Sequence, residues 1–206
     1  MANINRPSGL VPVGYINGSP YNGQGRTYCI PQADTNAFAI GDPMILAGSA
    51  DARGVPTVTV ATAGATNTVL GALVSCGGTV NGAMFGDAAN LNTTIIPATK
   101  TKDYYVMVED DPAVIYEVQE IGTGTYFTAT EVSLNCSLVA TAGANNTGHN
   151  GFISGWVLDN STEATTAALQ MKILCLAPRM DNAFGQYAKY WCLINNHVFR
   201  TGVAGY

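Results

Sequence analysis

Short runs of alternating apolar and polar residues fill this chain from residue 26 onward. Each run ends at Gly, Pro, Asn or Asp, a spacing typical of β-strands separated by turns. Strands are predicted at 26–30, 43–48, 56–61, 68–75, 103–110, 113–120, 151–159, 168–178 and 187–199. The pattern contains no long helical period and no repeat of fixed length. It therefore predicts an all-β fold, an antiparallel sandwich or barrel of jelly-roll type.

The run at 113–120 also predicts which side chains face the core. Its alternation places one set of residues inward, namely Val114, Tyr116 and Val118, and the other set toward solvent, namely Ile115, Glu117 and Gln119. Asp111-Pro112 joins this run to the one before it, and proline cannot donate to a strand ladder. We therefore expect a hairpin or a bent strand pair here.

Two other segments carry local signals. Residues 77–92 are small and polar without periodicity, which predicts a long irregular excursion. The stretch from Thr128 to Glu131 has the spacing of a capping box, and the apolar run after it is long enough for one helical turn only.

The first 25 residues break the strand pattern, because Gly and Pro interrupt a segment that is rich in apolar and aromatic side chains. Ordering about 25 residues costs roughly 25–50 kcal/mol and requires on the order of 1,000–2,000 Å² of buried apolar surface. Such a segment is either disordered in the free protein or docked on a larger surface. We expect an extended N-terminal arm at 1–25, followed by a β domain at 26–206. The expected partner contacts of the arm are Leu10, Val11, Val13, Tyr15, Ile16 and Tyr21.

Composition and charge narrow the classes of partner. Only 11% of the residues are charged, and the net charge of −5 comes without any run of Lys or Arg. This composition disfavours nucleic acid as a partner and suits surfaces that meet other proteins, because desolvating a charge is costly. The chain has neither a basic, apolar leader nor ~18 consecutive apolar residues, so we expect cytoplasmic synthesis and no membrane partner.

No catalytic, cofactor or metal site is expected. The five widely spaced cysteines lack a C-x-x-C pair and are interpreted as buried free thiols. His149 and His197 accompany no nucleophile or metal motif. The acidic run Glu109-Asp110-Asp111 offers ligands for Ca²⁺ or a glycosidase acid, but it lacks EF-hand spacing, and a solvated turn is the favoured interpretation.

Four stretches resemble a known family: SPYNGQGRTYCIP, IGDPMILAGSADARGVPTV, VEDDPAVIYEVQE and LQMKILCLAPRMDNAFGQYAKYWCLINNHVF. They are similar to small virion proteins of tailed bacteriophages that are encoded beside the major capsid protein, the head decoration or cement proteins. The resemblance implies a β-rich domain, many copies on the capsid exterior, the major capsid protein as partner and no enzymatic activity. A homodimer or homotrimer is expected, because closed oligomers match symmetry axes of a shell.

Two other functions remain open from the sequence. One is a minor head or tail component, which predicts far fewer copies per particle than the capsid protein. The other is a carbohydrate-binding or glycan-cleaving β-sandwich, suggested by Trp156 and Trp191 as a sugar platform and by the acidic run Glu109-Asp110-Asp111. Core packing is the more usual role of strand tryptophans.

Overall fold

The computed structural model describes residues 3–80, 83–85, 95–141, 153–200, 202 and 204–205. Within these residues the secondary structure is almost entirely β, which confirms the predicted all-β class. In chain order, the strands are β1 (Val11–Tyr15), β2 (Arg26–Ile30), β3 (Phe38–Ala39), β4 (Pro43–Ala50), β5 (Pro56–Val60), β6 (Gly71–Ser75), β7 (Gly78–Val80), β8 (Ala83–Phe85), β9 (Ile95–Ile96), β10 (Tyr104–Glu109), β11 (Val114–Gln119), β12 (Asn135–Ala140), β13 (Trp156–Ala164), β14 (Met171–Leu176) and β15 (Lys189–Ile194).

The strands form two main layers. One is a six-stranded antiparallel sheet in the order β1-β11-β15-β14-β12-β13. The other is a closed barrel in the order β10-β2-β5-β4-β6, in which β2 and β5 run parallel and the remaining pairs are antiparallel. Two small antiparallel pairs, β3 with β9 and β7 with β8, complete the described strands.

Each layer has its own apolar core. The inner face of the sheet buries Tyr116, Tyr190 and Met171 against the outside of the barrel, where Val69 and Ala72 belong to the same cluster. The second core fills the barrel and includes Tyr28, Met44, Val58, Leu73 and Val106. Because the outer wall of the barrel packs on the sheet, the two layers share one boundary.

The inward face predicted for β11 is confirmed, since Val114, Tyr116 and Val118 are all buried. Gln119, predicted to face solvent, is buried as well. Its Oε1 accepts a hydrogen bond from the backbone N–H of Arg6 at 2.8 Å, and its Nε2 donates to Oδ1 of Asn5 at 2.9 Å. Both partners come from the N-terminal segment, which covers this end of the strand.

Several predicted boundaries differ from the observed ones. The strand expected at 151–159 lies at 156–164, and β12 was missed because its sequence, NCSLVA, combines few large apolar residues with two polar ones. The segment 77–92, predicted to be irregular, contains β7 and β8. Its residues 81–82 and 86–92 lie outside the described residues. The hairpin predicted across Pro112 is wrong, because β10 lies in the barrel and β11 lies in the sheet.

The N-terminal segment belongs to the six-stranded sheet. β1 pairs antiparallel with β11, and the fully buried Leu10 donates its backbone N–H to the carbonyl of Gly41 at 2.9 Å. Gly9 has φ +65°, and a Cβ there would lie 2.2 Å from the Gly41 oxygen, so this docking requires glycine. The extended arm is therefore not confirmed, and a division of the chain after residue 25 stays a prediction.

Three smaller features concern the cysteines, the capping box and the helices. All five cysteines are free; Cys175 is half-buried and the other four are buried. Thr128 caps a 3-10 helix at Ala129–Glu131 in a capping box, as predicted. Among the described residues, no helix has the length and apolar character needed to cross a membrane.

Candidate functional site

The acidic run lies where the chain passes from the barrel to the sheet. β10 ends at Glu109 and β11 begins at Val114, so the four residues between them connect the two layers. Asp111 holds this connection, because its Oδ1 accepts the N–H of Ala113 at 2.8 Å and its carbonyl accepts the N–H of Val114 at 3.2 Å. Three consecutive carboxylates are thereby fixed at the junction.

Close backbone packing sets the position of Glu109. A Cβ at Gly71, the first residue of β6, would lie 1.7 Å from the carbonyl oxygen of Glu109, so only glycine allows the two strands to approach this closely. The same oxygen accepts the hydroxyl of Tyr116 at 3.1 Å. The backbone of Glu109 is thus held from both the barrel and the sheet.

A cavity of about 510 Å³ opens at this junction, and we call it the acidic pocket. Its walls come from four separate parts of the chain: the end of β1, the segment before β2, the β10–β11 connection and a segment near the C-terminus. The lining residues are Tyr15, Gln24, Gly25, Arg26, Glu109, Asp110, Asp111, Pro112 and Phe199.

The three carboxylates differ in their partners. Asp110 accepts the hydroxyl of Tyr28 at 2.6 Å and lies 3.3 Å from Nη1 of Arg26. Glu109 is only 2% exposed; its Oε1 accepts the backbone N–H of Asp111 at 3.1 Å, whereas its buried Oε2 has no hydrogen-bond partner among the described residues. The pocket therefore combines three carboxylates with a single guanidinium.

These surroundings shift the ionisation of the pocket groups. Burial raises the pKa of Glu109, the backbone N–H of Asp111 lowers it, and the charges of Asp110 and Asp111 raise it further. Burial, followed by the charge of Glu109, raises the pKa of Tyr21 to about 12. In both cases burial is the largest cause, and neighbouring negative charge raises the pKa further.

The mouth of the pocket is apolar. Phe199, which lines the pocket, is 53% exposed, and Ile16, which follows Tyr15 in the chain and whose N–H donates to the carbonyl of Ala113 at 2.9 Å, is 61% exposed. Tyr15 is half-buried in the pocket wall and contacts the ring of Tyr21, with a centroid distance of 6.4 Å. Phe199 thus adds exposed apolar surface to a pocket whose base is polar.

His197 supports this mouth. It is buried, and its Nδ1 accepts the backbone N–H of Phe199 at 3.0 Å. Burial, followed by the charge of Arg200, lowers the pKa of His197 to about 4, so the ring is neutral at pH 7. The observed role of His197 is to position the turn that carries Phe199. His149, the other histidine considered from the sequence, lies outside the described residues.

The structure separates the six residues that the sequence assigned to partner contact. Tyr15 lines the acidic pocket, Ile16 follows it in the chain and Tyr21 contacts its ring, whereas Val11 and Val13 lie further along β1 with partial exposure. Leu10 is fully buried in the core of the sheet, so its apolar surface is covered within the chain. The burial that the sequence required for Leu10 is thus supplied by this chain.

The solvated turn predicted for the acidic run is found only at Asp111. Glu109 and Asp110 are 2% and 8% exposed, because the run begins inside β10, a strand buried on both faces. The apolar character of both faces of 104–108 was a signal that the strand continues, buried, into Glu109. Arg26 and Phe199 were missed, since nothing local in the sequence links them to residues 109–111.

The sequence also raised sugar stacking on tryptophan and metal binding as possible functions. Trp156 is 5% exposed in the core of the sheet, where its face cannot stack on a sugar, and Trp191 is half-buried on β15. Among the described residues, no group of three or more His, Cys, Asp or Glu side chains is arranged to hold a metal ion.

Comparisons of the chain with protein-family models, curated proteins and solved structures find no match. The chemistry of the acidic pocket is therefore the main guide to function. Its lining offers carboxylate oxygens and the exposed ring of Phe199, and the exposed Ile16 follows the lining residue Tyr15 in the chain. A surface of this composition is suited to contact with another protein.

Proposed function

We propose that this chain is a structural virion protein that binds the exterior of a tailed-bacteriophage head and links neighbouring major capsid subunits. The observation that carries the proposal is the exposure of two large apolar side chains, Phe199 in the lining of the acidic pocket and Ile16 directly after its lining residue Tyr15. Covering these side chains with a partner removes apolar surface from water, which favours association. The resemblance described above supplies the identity of the partner.

The low charge of the chain supports the same function. With 11% charged residues, much of the surface is neutral and is desolvated at small cost when it meets another protein. Attachment to a shell also involves many equivalent sites, so that each contact can be weak if one molecule engages two subunits. A dimer or trimer of this chain would provide several such contacts at once.

The proposal is tested by co-sedimentation of the purified chain with expanded heads that lack it. We expect the native chain to sediment with the heads, and Ile16→Asp or Phe199→Asp to weaken attachment at least about tenfold, because each buries a charge at an apolar contact. Met180→Asp is the matched control, since Met180 is fully exposed and does not line the pocket. We expect this control to attach normally.

The same assay contains the contrary outcomes. Failure of the native chain to bind heads overturns the proposed function, and equal loss in the Met180→Asp control overturns the location of the contact. A copy number close to that of the capsid protein is expected for a decoration protein. A copy number far below it favours a minor head or tail component instead.

A further inference from the structure

One oxygen of the Glu109 carboxylate, Oε2, is buried without a hydrogen-bond partner among the described residues, and it points to the chemistry of the partner. We propose that the acidic pocket receives an arginine side chain of the partner protein, with its guanidinium against Glu109 and Asp111 and its stem between Tyr15 and Phe199. The inference rests on the proposed function, under which that partner is a capsid subunit.

The lining of the acidic pocket contains three carboxylates and one cation, so its negative charge is not balanced within the chain. Arg26 is the one cation among the lining residues; it lies 3.3 Å from Asp110, and its side chain is 65% exposed. Asp110 is further satisfied by Tyr28, whereas Glu109 keeps a buried oxygen with no hydrogen-bond partner among the described residues. Leaving such an oxygen unpaired costs free energy, and a donor brought by a partner recovers it.

The shape and chemistry of the walls favour a guanidinium. Its planar fork presents several N–H groups that reach two carboxylates together, whereas an ammonium acts as a point charge. Tyr15 and Phe199 supply aromatic rings at the mouth, and guanidinium groups pack well on aromatic faces. A metal ion fits less well, because no set of three or more metal-ligating side chains is found in the described part of the chain.

A small probe tests this pocket directly. The full chain is titrated with N-acetylarginine amide and, as a matched uncharged probe, with N-acetylcitrulline amide, and binding is followed by NMR chemical shifts. We expect an arginine dissociation constant on the order of millimolar and citrulline binding at least about tenfold weaker, because only the cation pairs with the carboxylates.

Variants assign the binding to Glu109. Glu109→Gln keeps the shape of the side chain and should weaken arginine binding about tenfold, as expected for loss of a charge-assisted hydrogen bond. Glu117→Gln removes an acid that lies outside the pocket and should leave the affinity unchanged. If Glu109→Gln does not fold, Asp111→Asn provides the same test at an exposed position, and its Oδ1 can still accept the N–H of Ala113.

Three results would overturn the inference: citrulline amide binding as well as arginine amide, N-acetyllysine amide binding as tightly as arginine amide, or unchanged arginine affinity in the folded pocket variants. The head assay separates this failure from that of the proposed function. If the native chain binds heads and Glu109→Gln binds them equally well, the arginine contact is wrong while the decoration function stands.

Discussion

Two groups of charged side chains near β11 are built in opposite ways. On the outer face of the sheet, Glu117 accepts from Nη1 of Arg179 at 2.9 Å and lies 3.8 Å from Nζ of Lys189, while Asp181 accepts from Nε of Arg179 at 3.1 Å. This cluster contains two acids and two bases. The acidic pocket, at the start of the same strand, contains three acids and one base.

The difference shows which charges the fold uses for itself. Ion pairs such as Glu117 with Arg179 are formed within the chain, so substituting Glu117 removes one of the two acids that pair with Arg179. Glu109 is buried without a counter-charge in direct contact. Replacing it with a neutral residue therefore removes the free-energy cost of burying a charge. The same Glu→Gln change should therefore have opposite effects on stability at the two places.

Glu120, immediately after β11, should give the largest effect. It is fully buried, its Oε1 lacks a hydrogen-bond partner among the described residues, and burial raises its pKa to about 7 although the N–H of Phe127 opposes the shift. We expect Glu120→Gln to stabilise the protein by about 2 kcal/mol at pH 8, measured by urea unfolding, because it removes a buried, uncompensated charge.

The pH dependence checks the cause of this effect. Because the carboxyl of Glu120 is protonated more readily when folded, the native state binds more protons between about pH 4.5 and 7, and stability falls as pH rises through this window. Glu120→Gln should remove this fall and should differ little from the native chain below about pH 4.5. Equal stabilisation at pH 4 and pH 8 would contradict the explanation.

Glu117→Gln should have the next largest effect, with the opposite sign. The Glu117 side chain is only 14% exposed, and its loss leaves Arg179 and Lys189 with Asp181 as their remaining acid. We expect destabilisation of about 1–1.5 kcal/mol at pH 7 in urea unfolding. An unchanged midpoint would show that the cluster contributes nothing beyond ordinary surface pairs.

Glu109→Gln should stabilise the free protein by about 0.5 kcal/mol at pH 7, since the amide oxygen can still accept the N–H of Asp111 while the desolvated charge is removed. Thermal unfolding of the two variants, Glu109→Gln and Glu117→Gln, side by side measures the contrast. Destabilisation by both would remove the distinction between the two groups.

Arg26→Gln should have the smallest effect on stability, within about 0.3 kcal/mol, because exposed ion pairs contribute little. Its side chain is 65% exposed, and Asp110 keeps the hydroxyl of Tyr28. The same variant makes the pocket more negative, so its affinity for N-acetylarginine amide should rise about two- to threefold. A weaker affinity would show that Arg26 helps to form the binding surface.

The sequence pattern predicted most of the strands because alternate side chains of a strand point to opposite faces. Alternating apolar and polar residues therefore indicate which face is buried. The pattern succeeded for Val114, Tyr116 and Val118, whose neighbours on the inner face are all apolar. Alternation does not account for Gln170, which lies between Leu169 and Met171 and is fully buried like Met171. Its Oε1 accepts the N–H groups of Gly64 and Leu138, each at 3.1 Å, so its burial depends on distant backbone groups that no local pattern contains.

The site was predictable only in pieces. Tyr15, Ile16 and Tyr21 were expected at a partner contact, and the acidic run was noticed, but their proximity depends on the pairing of β1 with β11. Phe199 reaches the pocket because His197 and Val69 bridge the C-terminal segment to the barrel side, a contact between residues far apart in sequence. Strand order across such distances is set by the packing of whole layers.

The seam occupied by the pocket has a mechanical consequence. Glu109 and Arg26 belong to the barrel strands, whereas Tyr15 ends a strand of the sheet, so a guest wedged between them would bear on both layers. A force on the bound group would act on the hydrogen-bonded ladders of the sheet and of the barrel together. It would not act on one edge strand alone. Under the proposed function, detaching the molecule from a capsid would then require breaking hydrogen bonds in both layers.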